Sequence, residues 1–374
     1  MSRRILVADD QTDILQALRL LLGDAGFDTD LVSSTDSAIE RVTKQPYDLL
    51  LMDLNYSRDT TSGREGLDLL DRVRSHDGTL PVVVMTGWGT IETAVEAMRR
   101  GARSFVQKPW DDATLVDVVR REIEDGAASR RRDAGKARDN EEAQQIQRAL
   151  LPATMPQLDG CTLAARWMPA LGLGGDCYDF LRFAPTRCGV TIADVVGKGL
   201  PAALLMTNLQ GAVRAFATDS AVPHHVATAV NRLLCRHITS GKFVTFCYAI
   251  ADLRTQTLAY ANAGHFPPVL MRANGEIERL TNTGLVLGIA PEWTYTTATT
   301  PIAAGDRLVF YTDGITEAIS PSDEEFGDAQ LVSLIRAHRR EPADRLADIV
   351  TGAVATWTGG APQDDATLIV MAVD

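Results

Sequence analysis

Four short apolar runs mark the first third of the chain, and each ends at a polar or charged side chain. The runs cover residues 4–8, 48–52, 81–85 and 103–106. Segments with helical apolar spacing separate them, beginning with residues 12–25. Short, continuously apolar strands that alternate with helices are typical of a parallel sheet covered on both faces. The pattern predicts a doubly wound α/β domain at about residues 1–122.

The next segment, residues 123–152, has few large apolar side chains and is rich in Arg, Glu, Gln, Ala and Asp. Ala143, Ile146 and Leu150 have the spacing of a short coiled-coil seam, and Pro152 ends the helical pattern. Gly126 and Gly135 weaken the helical pattern upstream of the seam. We expect a helical, coiled-coil-like linker through which two copies of the chain pair as a homodimer.

Residues 153–374 show a third pattern, in which strands outnumber helices. An Asn-Gly pair at residues 274–275 is a strong hairpin signal. Linked strands interrupted by paired helices predict an antiparallel α+β domain, an α-β-β-α sandwich with its helices outside. The candidate strands are 187–194, 243–252, 256–262, 267–272, 276–281, 307–312 and 366–373, and the candidate helices are 200–217, 222–239, 327–339 and 342–357.

Composition narrows the classes of function. The 374 residues include 37 basic and 49 acidic side chains, a formal charge of −12, which argues against nucleic-acid and membrane-surface partners. The five cysteines are odd in number and form no C-x-x-C pair, so we expect neither a disulfide framework nor a cysteine-built zinc site. They fit a reducing cytoplasm. The N-terminus runs directly into a strand pattern, without a signal-peptide core or a membrane-spanning apolar run.

Candidate chemistry lies at the strand ends of the first domain, where ligands of open parallel sheets bind. Those ends carry Asp9, Asp10, Asp53, Thr86 and Lys108. Three carboxylates brought together repel one another unless a divalent cation lies among them, and oxygen ligands suit Mg²⁺. The residues predict a Mg²⁺-assisted phosphoryl acceptor with Asp53 as nucleophile. Any one of these acids alone could be merely a helix cap.

This constellation resembles the response-regulator receiver family, through the motifs VADD, LMDLN, VMTGWG and FVQKP. The resemblance implies a five-stranded parallel domain, phosphorylation of Asp53 and a sensor histidine kinase as partner. It also implies that Asp10, Asp53 and the Asn55 carbonyl hold Mg²⁺ with help from Asp9. Thr86, Phe105 and Lys108 would then be the switch residues. The segment after Asp53 is longer than in a compact receiver, which could alter the surface near the phosphate.

The last domain contains four segments that combine glycine and aspartate, GGDCYD at 174–179, ADVVGKG at 193–199, TDG at 312–314 and QDDAT at 363–367. Three of them adjoin a candidate strand. Aspartates at neighbouring strand ends could build a two-metal site that hydrolyses phosphate esters without a covalent enzyme intermediate. No Cys-x5-Arg loop, P-loop or G-x-S-x-G elbow is present to support another mechanism.

These segments resemble PPM-type serine/threonine phosphatases of the SpoIIE branch, with IQRALLP, GGDCYDF, ADVVGKGLPAAL, NAGHFPPVL, YTDGITEA and DDATLIV in the expected order. The resemblance implies two Mn²⁺ or Mg²⁺ ions. The implied ligands are Asp176, Asp194, the Val195 carbonyl, Asp313 and Asp364, with Asp179, Asp365 and Gly314 less certain. For Asp179 and Asp365, a cap or supporting hydrogen bond is as good an interpretation. No counterpart of the phosphate-binding arginine of eukaryotic relatives is evident.

Two functions follow from these resemblances. The first is a response regulator whose output is hydrolysis of phosphoserine or phosphothreonine on a protein, under control of Asp53 phosphorylation. The family implies an anti-sigma-factor antagonist as the substrate. The alternative is a non-catalytic adaptor that binds partners through a phosphatase-like domain. Degenerate relatives of that kind have lost metal-binding acids, and this chain keeps them, which favours the enzyme.

Overall fold

The structure is a computed structural model that describes residues 3–56, 63–87, 91–170, 172–238, 241–281, 283–360 and 363–374, with only the backbone described at 91 and 92. Contacts divide the chain into two compact units, Met1–Asp139 and Asn140–Asp374. The longer segment predicted after Asp53 falls mostly on residues 57–62, outside the described residues. Across the part that is described, no helix is both long enough and apolar enough to cross a membrane.

The first unit is a parallel sheet with strand order β2-β1-β3-β4-β5. Alternate strand residues face opposite sides: Leu6 and Ala8 pack with α2, α3 and α4, whereas Ile5 and Val7 pack with α1 and α5. This arrangement confirms the predicted five-stranded, doubly wound domain. The elements are β1 (Arg3–Ala8), α1 (Thr12–Asp24), β2 (Phe27–Val32), α2 (Thr35–Lys44), β3 (Leu49–Asp53), α3 (Arg64–His76), β4 (Val82–Thr86), α4 (Ile91–Arg99), β5 (Ser104–Gln107) and α5 (Asp112–Leu150).

Strand β2 was not among the four apolar runs of the sequence. Three of its six residues, FDTDLV, are polar, and only Val32 is buried. It pairs with β1 at the edge of the sheet, and no other strand in the described part of the chain pairs with its outer side. Edge strands tolerate polar side chains, so a search for continuous apolar runs passes over them.

Helix α5 runs without a break from Asp112 to Leu150, so the last receiver helix and the predicted linker form one element. Gly126 and Gly135, which were expected to weaken the helix, lie within it. At Gly126 an added Cβ would come within 2.4 Å of Pro81 Cγ, just before β4. The missing side chain therefore allows the helix to approach the sheet closely. Gly135 has no neighbour within 4 Å of such a Cβ, and we have no packing reason for it.

The second unit contains two five-stranded antiparallel sheets, ordered β13-β10-β9-β8-β7 and β12-β11-β14-β15-β6. Its elements are β6 (Cys161–Met168), β7 (Cys177–Ala184), β8 (Arg187–Val195), α6 (Leu200–Phe216), α7 (Pro223–His237), β9 (Val244–Asp252), β10 (Thr257–Ala263), β11 (Val269–Met271), β12 (Ile277–Arg279), β13 (Ala298–Pro301), β14 (Arg307–Tyr311), α8 (Asp313–Thr316), α9 (Asp328–Ala337), α10 (Ala343–Thr358) and β15 (Ala366–Val373).

Helices cover the outer faces of the two sheets. One core contains side chains of both sheets together with α6 and α7, and the other lies between the second sheet and α9 and α10. All eight residues of β15 are buried because both of its faces are covered. The predicted α-β-β-α sandwich is confirmed. Strands β6, β7 and β13 were not predicted; β6 and β7 mix polar with apolar residues, and β13 has only four.

Candidate functional sites

The receiver unit brings its predicted residues together at the carboxyl end of the sheet. Asp9 and Asp10 follow β1, Asp53 ends β3 and Thr86 ends β4. Lys108, just after β5, places its ammonium nitrogen 2.6 Å from Asp9 Oδ2 and 2.8 Å from Asp53 Oδ2. Asp9, Asp10 and Asp53 offer oxygen atoms that all lie within 4.8 Å of one another. The strand ends thus converge as the sequence predicted.

The electrostatics of this pocket suit a cation. Burial raises the pKa of Asp53 above its usual value, and the hydrogen bond from Lys108 opposes the rise. The Oδ1 atoms of Asp10, Asp53 and Asn55 are buried without a hydrogen-bond partner among the described residues. Buried carboxylate oxygens normally have partners. Three unsatisfied oxygens in one acidic pocket are a donor set that fits Mg²⁺.

The predicted switch residues differ in exposure. Thr86 is buried at the end of β4, and its hydroxyl lies 3.3 Å from the Gly87 carbonyl. Phe105 on β5 is 51% exposed, so its ring faces solvent. The predicted switch residues therefore comprise a buried hydroxyl at the end of β4 and an exposed ring on the neighbouring strand β5.

In the second unit, the four principal aspartates lie next to strand ends. Asp194 and Val195 end β8, and Asp313 begins α8 two positions after the end of β14. Asp364 and Asp176 shortly precede β15 and β7. Burial, with repulsion from Asp313 and Asp364, raises the pKa of Asp194 to about 7. Burial, with repulsion from Asp364 and Glu317, raises the pKa of Asp313 to about 6. These acids are close enough to repel one another.

They are less tightly grouped than the receiver acids. Among the described residues, no set of three acids here has oxygen atoms all within 4.8 Å of one another. In two-metal sites the cations themselves lie about 3.5–4 Å apart. Carboxylates that surround such a pair are necessarily spread over a wider region, so the looser grouping is compatible with two cations.

Asp176 is the most constrained of these acids. Its Oδ2 accepts hydrogen bonds from the hydroxyls of Thr312 at 2.7 Å and Thr367 at 2.5 Å. Its Oδ1 is buried without a partner among the described residues. Burial and repulsion from Asp194 raise its pKa well above the usual value. Two threonines therefore orient a carboxylate whose second oxygen remains available as a ligand. The sequence analysis did not single out either threonine.

The three less certain residues have supporting contacts. Both carboxylate oxygens of Asp179 accept hydrogen bonds from Arg214, at 2.6 and 3.1 Å. Asp365 accepts backbone N–H groups from Ala170 at 2.9 Å and Gly175 at 2.6 Å, and so fixes the loop that leads to Asp176. At Gly314 an added Cβ would come within 2.1 Å of the Asp365 carbonyl oxygen. These contacts favour positioning roles over direct metal binding.

A cavity of about 250 Å³ opens beside the acids. Its wall includes Glu317, one helical turn beyond Asp313, which the sequence analysis also missed. The i, i+4 spacing in the motif YTDGITEA could have indicated it, because such positions share a helix face. The full lining is Lys198, Asp313, Gly314, Glu317, Ala318, Gln363 and Asp364.

The end of α5 contacts the loop that leads to Asp176. The buried side chain of Gln147 donates to the Gly174 carbonyl at 2.6 Å and accepts the Gly174 N–H at 3.1 Å. Gln210 on α6 donates to the Leu150 carbonyl at 2.7 Å. Ile146, in the predicted seam, is 58% exposed within a single chain. Gln147, which sequence reasoning missed, therefore joins the predicted linker to the loop that carries Asp176.

Comparison with known families identifies both parts. A family model described as Stage II sporulation protein E (SpoIIE) matches residues 184–374, just over half of the chain. The chain belongs to the SpoIIE family. A second model, the response regulator receiver domain, matches residues 5–120. This SpoIIE-family chain is thus a receiver domain fused to a PP2C-type phosphatase domain, as the sequence resemblance implied.

Individual relatives agree with this assignment. The SpoIIE-family chain is 30% identical to the phosphoserine phosphatase RsbU of Bacillus subtilis, over 61% of this chain and 68% of that protein. It is 26% identical to protein IcfG of Synechocystis over 69% of this chain, but spans only 44% of IcfG. A crystal structure of the RsbU and RsbW domains of Rv1364c from Mycobacterium tuberculosis matches with a TM-score of 0.52 and 28% identity, covering 58% of this chain and 61% of that one.

Proposed function

We propose that this protein is a response regulator whose output is metal-dependent hydrolysis of phosphoserine or phosphothreonine on a protein. We assign residues 1–122 to the receiver, 123–152 to the helical linker and 153–374 to the phosphatase. The observation that carries the proposal is Asp176, which two threonines orient while its other oxygen is buried with no partner among the residues the structure describes. An adaptor would have no use for a buried, unsatisfied carboxylate, which costs stability.

In the receiver, Asp53 is the proposed phospho-acceptor. A carboxylate oxygen of Asp53 attacks the phosphorus of a phosphorylated histidine on a sensor kinase, and the histidine nitrogen leaves. Lys108, 2.8 Å from Asp53, supplies positive charge to the phosphoryl oxygens. Asp9, Asp10, Asp53 and the Asn55 carbonyl would hold Mg²⁺, which offsets charge on the phosphoryl group.

In the phosphatase domain, Asp176, Asp194, the Val195 carbonyl, Asp313 and Asp364 would hold two Mn²⁺ or Mg²⁺ ions. Such a pair supplies Lewis acidity and an activated water for attack on phosphorus. Thr312 and Thr367 orient Asp176, and Asp365 holds the loop before it. Asp176 and Asp365 are buried, which strengthens the charge interactions that these two carboxylates make.

The substrate and partners are proposed from the relatives. RsbU is named a phosphoserine phosphatase, which supports a phosphoprotein substrate here, and we propose an anti-sigma-factor antagonist. The receiver match supports a sensor histidine kinase as the phosphoryl donor. Exposure of Ile146 supports pairing of two chains through the linker, because a large apolar side chain in solvent gains by burial.

We expect the purified protein to release phosphate from p-nitrophenyl phosphate and from a phosphoserine protein only when Mn²⁺ or Mg²⁺ is present. Chelation of the cations should lower the rate by roughly a hundredfold or more, since they supply several kcal/mol of transition-state stabilisation. A colorimetric phosphate assay measures both. An adaptor would bind the phosphoprotein without releasing phosphate, so no release at saturating Mn²⁺ would favour the alternative function.

We further propose that Gln147 transmits receiver phosphorylation to the phosphatase loop. Gln147→Ala removes both hydrogen bonds to Gly174 and leaves its backbone groups without these partners, which costs about 1–3 kcal/mol for each buried group. We expect the variant to lose its response to the receiver. The ratio of phosphatase rates with and without beryllofluoride, a phosphoryl mimic, should fall close to one.

Gln145→Ala is the matched control, because Gln145 is exposed on the same helix. It should respond to beryllofluoride as the wild type does. Ile146→Asp, which introduces a charge into the proposed seam, tests pairing separately: it should also lose the response while the receiver still accepts phosphate. A full response in Gln147→Ala would show that the signal reaches the active site by another route.

A further inference from the structure

Lys198 lies at the mouth of the cavity beside the proposed metal ligands. Its ammonium nitrogen is 2.9 Å from Asp364 Oδ2 and 2.9 Å from the Gln363 carbonyl oxygen. An ammonium group has three N–H donors. The described residues provide acceptors for two of them, so one donor remains for a ligand. The side chain is 45% exposed, so a substrate can reach it from solvent.

The backbone around Lys198 is built to present it. Gly197 and Gly199 have φ values of +99° and +72°, a conformation that glycine adopts readily and other residues rarely do. Lys242 donates to the Val196 carbonyl at 3.0 Å, which holds the start of this turn. Helix α6 begins directly after the turn, and its N-cap, Gly199, has no side chain to satisfy the first N–H groups. Those groups favour a nearby anion.

Charge makes Lys198 unusual in this wall. The other ionisable lining residues are Asp313, Glu317 and Asp364, all acidic. Among the described lining residues, Lys198 is therefore the only side chain with a positive charge. A phosphate monoester dianion that approaches these carboxylates is repelled by them, and a lysine at the rim offsets that repulsion as a point charge.

We propose that Lys198 binds the phosphoryl oxygens of the substrate, and of the inorganic phosphate product, in place of the arginine for which the sequence shows no evident counterpart. This inference rests on the proposed phosphatase function. The ammonium keeps its bond to the Gln363 carbonyl and directs its remaining donor to a phosphoryl oxygen. Asp364, now shared with the metal site, fixes the lysine beside the reacting group. Lys198 acts in binding, and the hydrolytic step itself needs no proton from it.

The test uses the full-length protein at saturating Mn²⁺, with Lys198→Met as the variant and inorganic phosphate and p-nitrophenyl phosphate as probes. Lys198→Met should raise both the Kd of inorganic phosphate, measured by calorimetry, and the KM for p-nitrophenyl phosphate by roughly ten- to hundredfold, the range for one charged hydrogen bond. The fall in kcat should be smaller than these changes. Lys198→Arg keeps the charge and should recover most of the binding.

Arg254→Met is the control, since it removes one positive charge from an exposed turn of the same domain. It should leave both constants unchanged. A Lys198→Met protein that binds phosphate like the wild type would overturn the proposal. So would a variant with altered Mn²⁺ affinity but unchanged phosphate affinity at saturating Mn²⁺, because Lys198 would then serve only as a counter-ion for Asp364. If the wild type turns over no substrate, the proposed function fails, while the calorimetric comparison still decides the role of Lys198.

Discussion

Asp194→Asn is expected to lower Mn²⁺-dependent phosphate release by roughly a thousandfold, equivalent to about 4 kcal/mol. Burial raises the pKa of Asp194, and repulsion from its neighbours Asp313, Asp364 and Asp365 raises it further. Asp194 therefore lies among the proposed ligands, where its carboxylate would help to hold the cations. Asparagine keeps the size of the side chain but removes the negative charge that a divalent cation needs. Steady-state kinetics with p-nitrophenyl phosphate at several Mn²⁺ concentrations will measure the loss.

The control for this prediction is Asp219→Asn, which changes the same chemical group at an exposed ion pair with Arg187. Exposed pairs contribute little to stability, so its turnover should match the wild type. If saturating Mn²⁺ restores full turnover to Asp194→Asn, then Asp194 affects only the affinity for the metal. If Asp194→Asn turns over substrate as fast as the wild type even at low Mn²⁺, then Asp194 is not a metal ligand.

Folding of the variant can be checked by its pH dependence. Burial raises the pKa of Asp194 in the folded protein above its unfolded value. In metal-free protein this carboxyl therefore stabilises the fold while protonated, and the stabilisation is lost as pH rises through about 7. Asparagine cannot ionise. Metal-free Asp194→Asn should unfold at a temperature at least as high as the wild type at pH 8, which separates lost activity from lost structure.

Local pattern was enough to predict most of the fold and the convergence of the acids in the first domain. Strand ends in an open parallel sheet meet at one edge, so Asp9, Asp53 and Thr86 could be placed together from sequence alone. The strands that were missed, such as β2 and β6, carry polar side chains within their runs. Their pairing depends on neighbours distant in the sequence, which a local apolar pattern does not reveal.

The supporting contacts could not be predicted for the same reason. Thr312 and Thr367 reach Asp176 across 136 and 191 positions of sequence, and Gln147 reaches Gly174 across 27. In the sequence, a threonine that orients a metal ligand looks the same as any other threonine in or next to a strand. Gly126 was misjudged in another way. Glycine has a low helix propensity, so the sequence predicted that it would weaken the helix. Its contact with Pro81 gives the absent side chain a role in packing.

The receiver yields the second large effect: Asp53→Asn should abolish phosphoryl labelling by acetyl phosphate and Mg²⁺. Asp53 alone of the three acids ends a central strand with one oxygen bonded to Lys108 and the other unpaired among the described residues. In the proposed reaction a carboxylate oxygen of Asp53 attacks phosphorus, and acetate leaves as the new P–O bond forms. The amide of asparagine is a poor nucleophile, so labelling should fall by roughly a hundredfold or more.

The chemistry of the label distinguishes the acceptor from its neighbours. An aspartyl phosphate is an acyl phosphate that hydroxylamine cleaves, whereas a serine or threonine phosphate resists it, so wild-type label should be released by hydroxylamine. Asp36→Asn, at an exposed carboxylate on α2, should label like the wild type. Asp10→Asn should label only weakly and improve as Mg²⁺ is raised, because it loses a proposed metal ligand and keeps the nucleophile. Equal labelling of Asp53→Asn and wild type, with the same sensitivity to hydroxylamine, would place the phosphoryl group on another carboxylate.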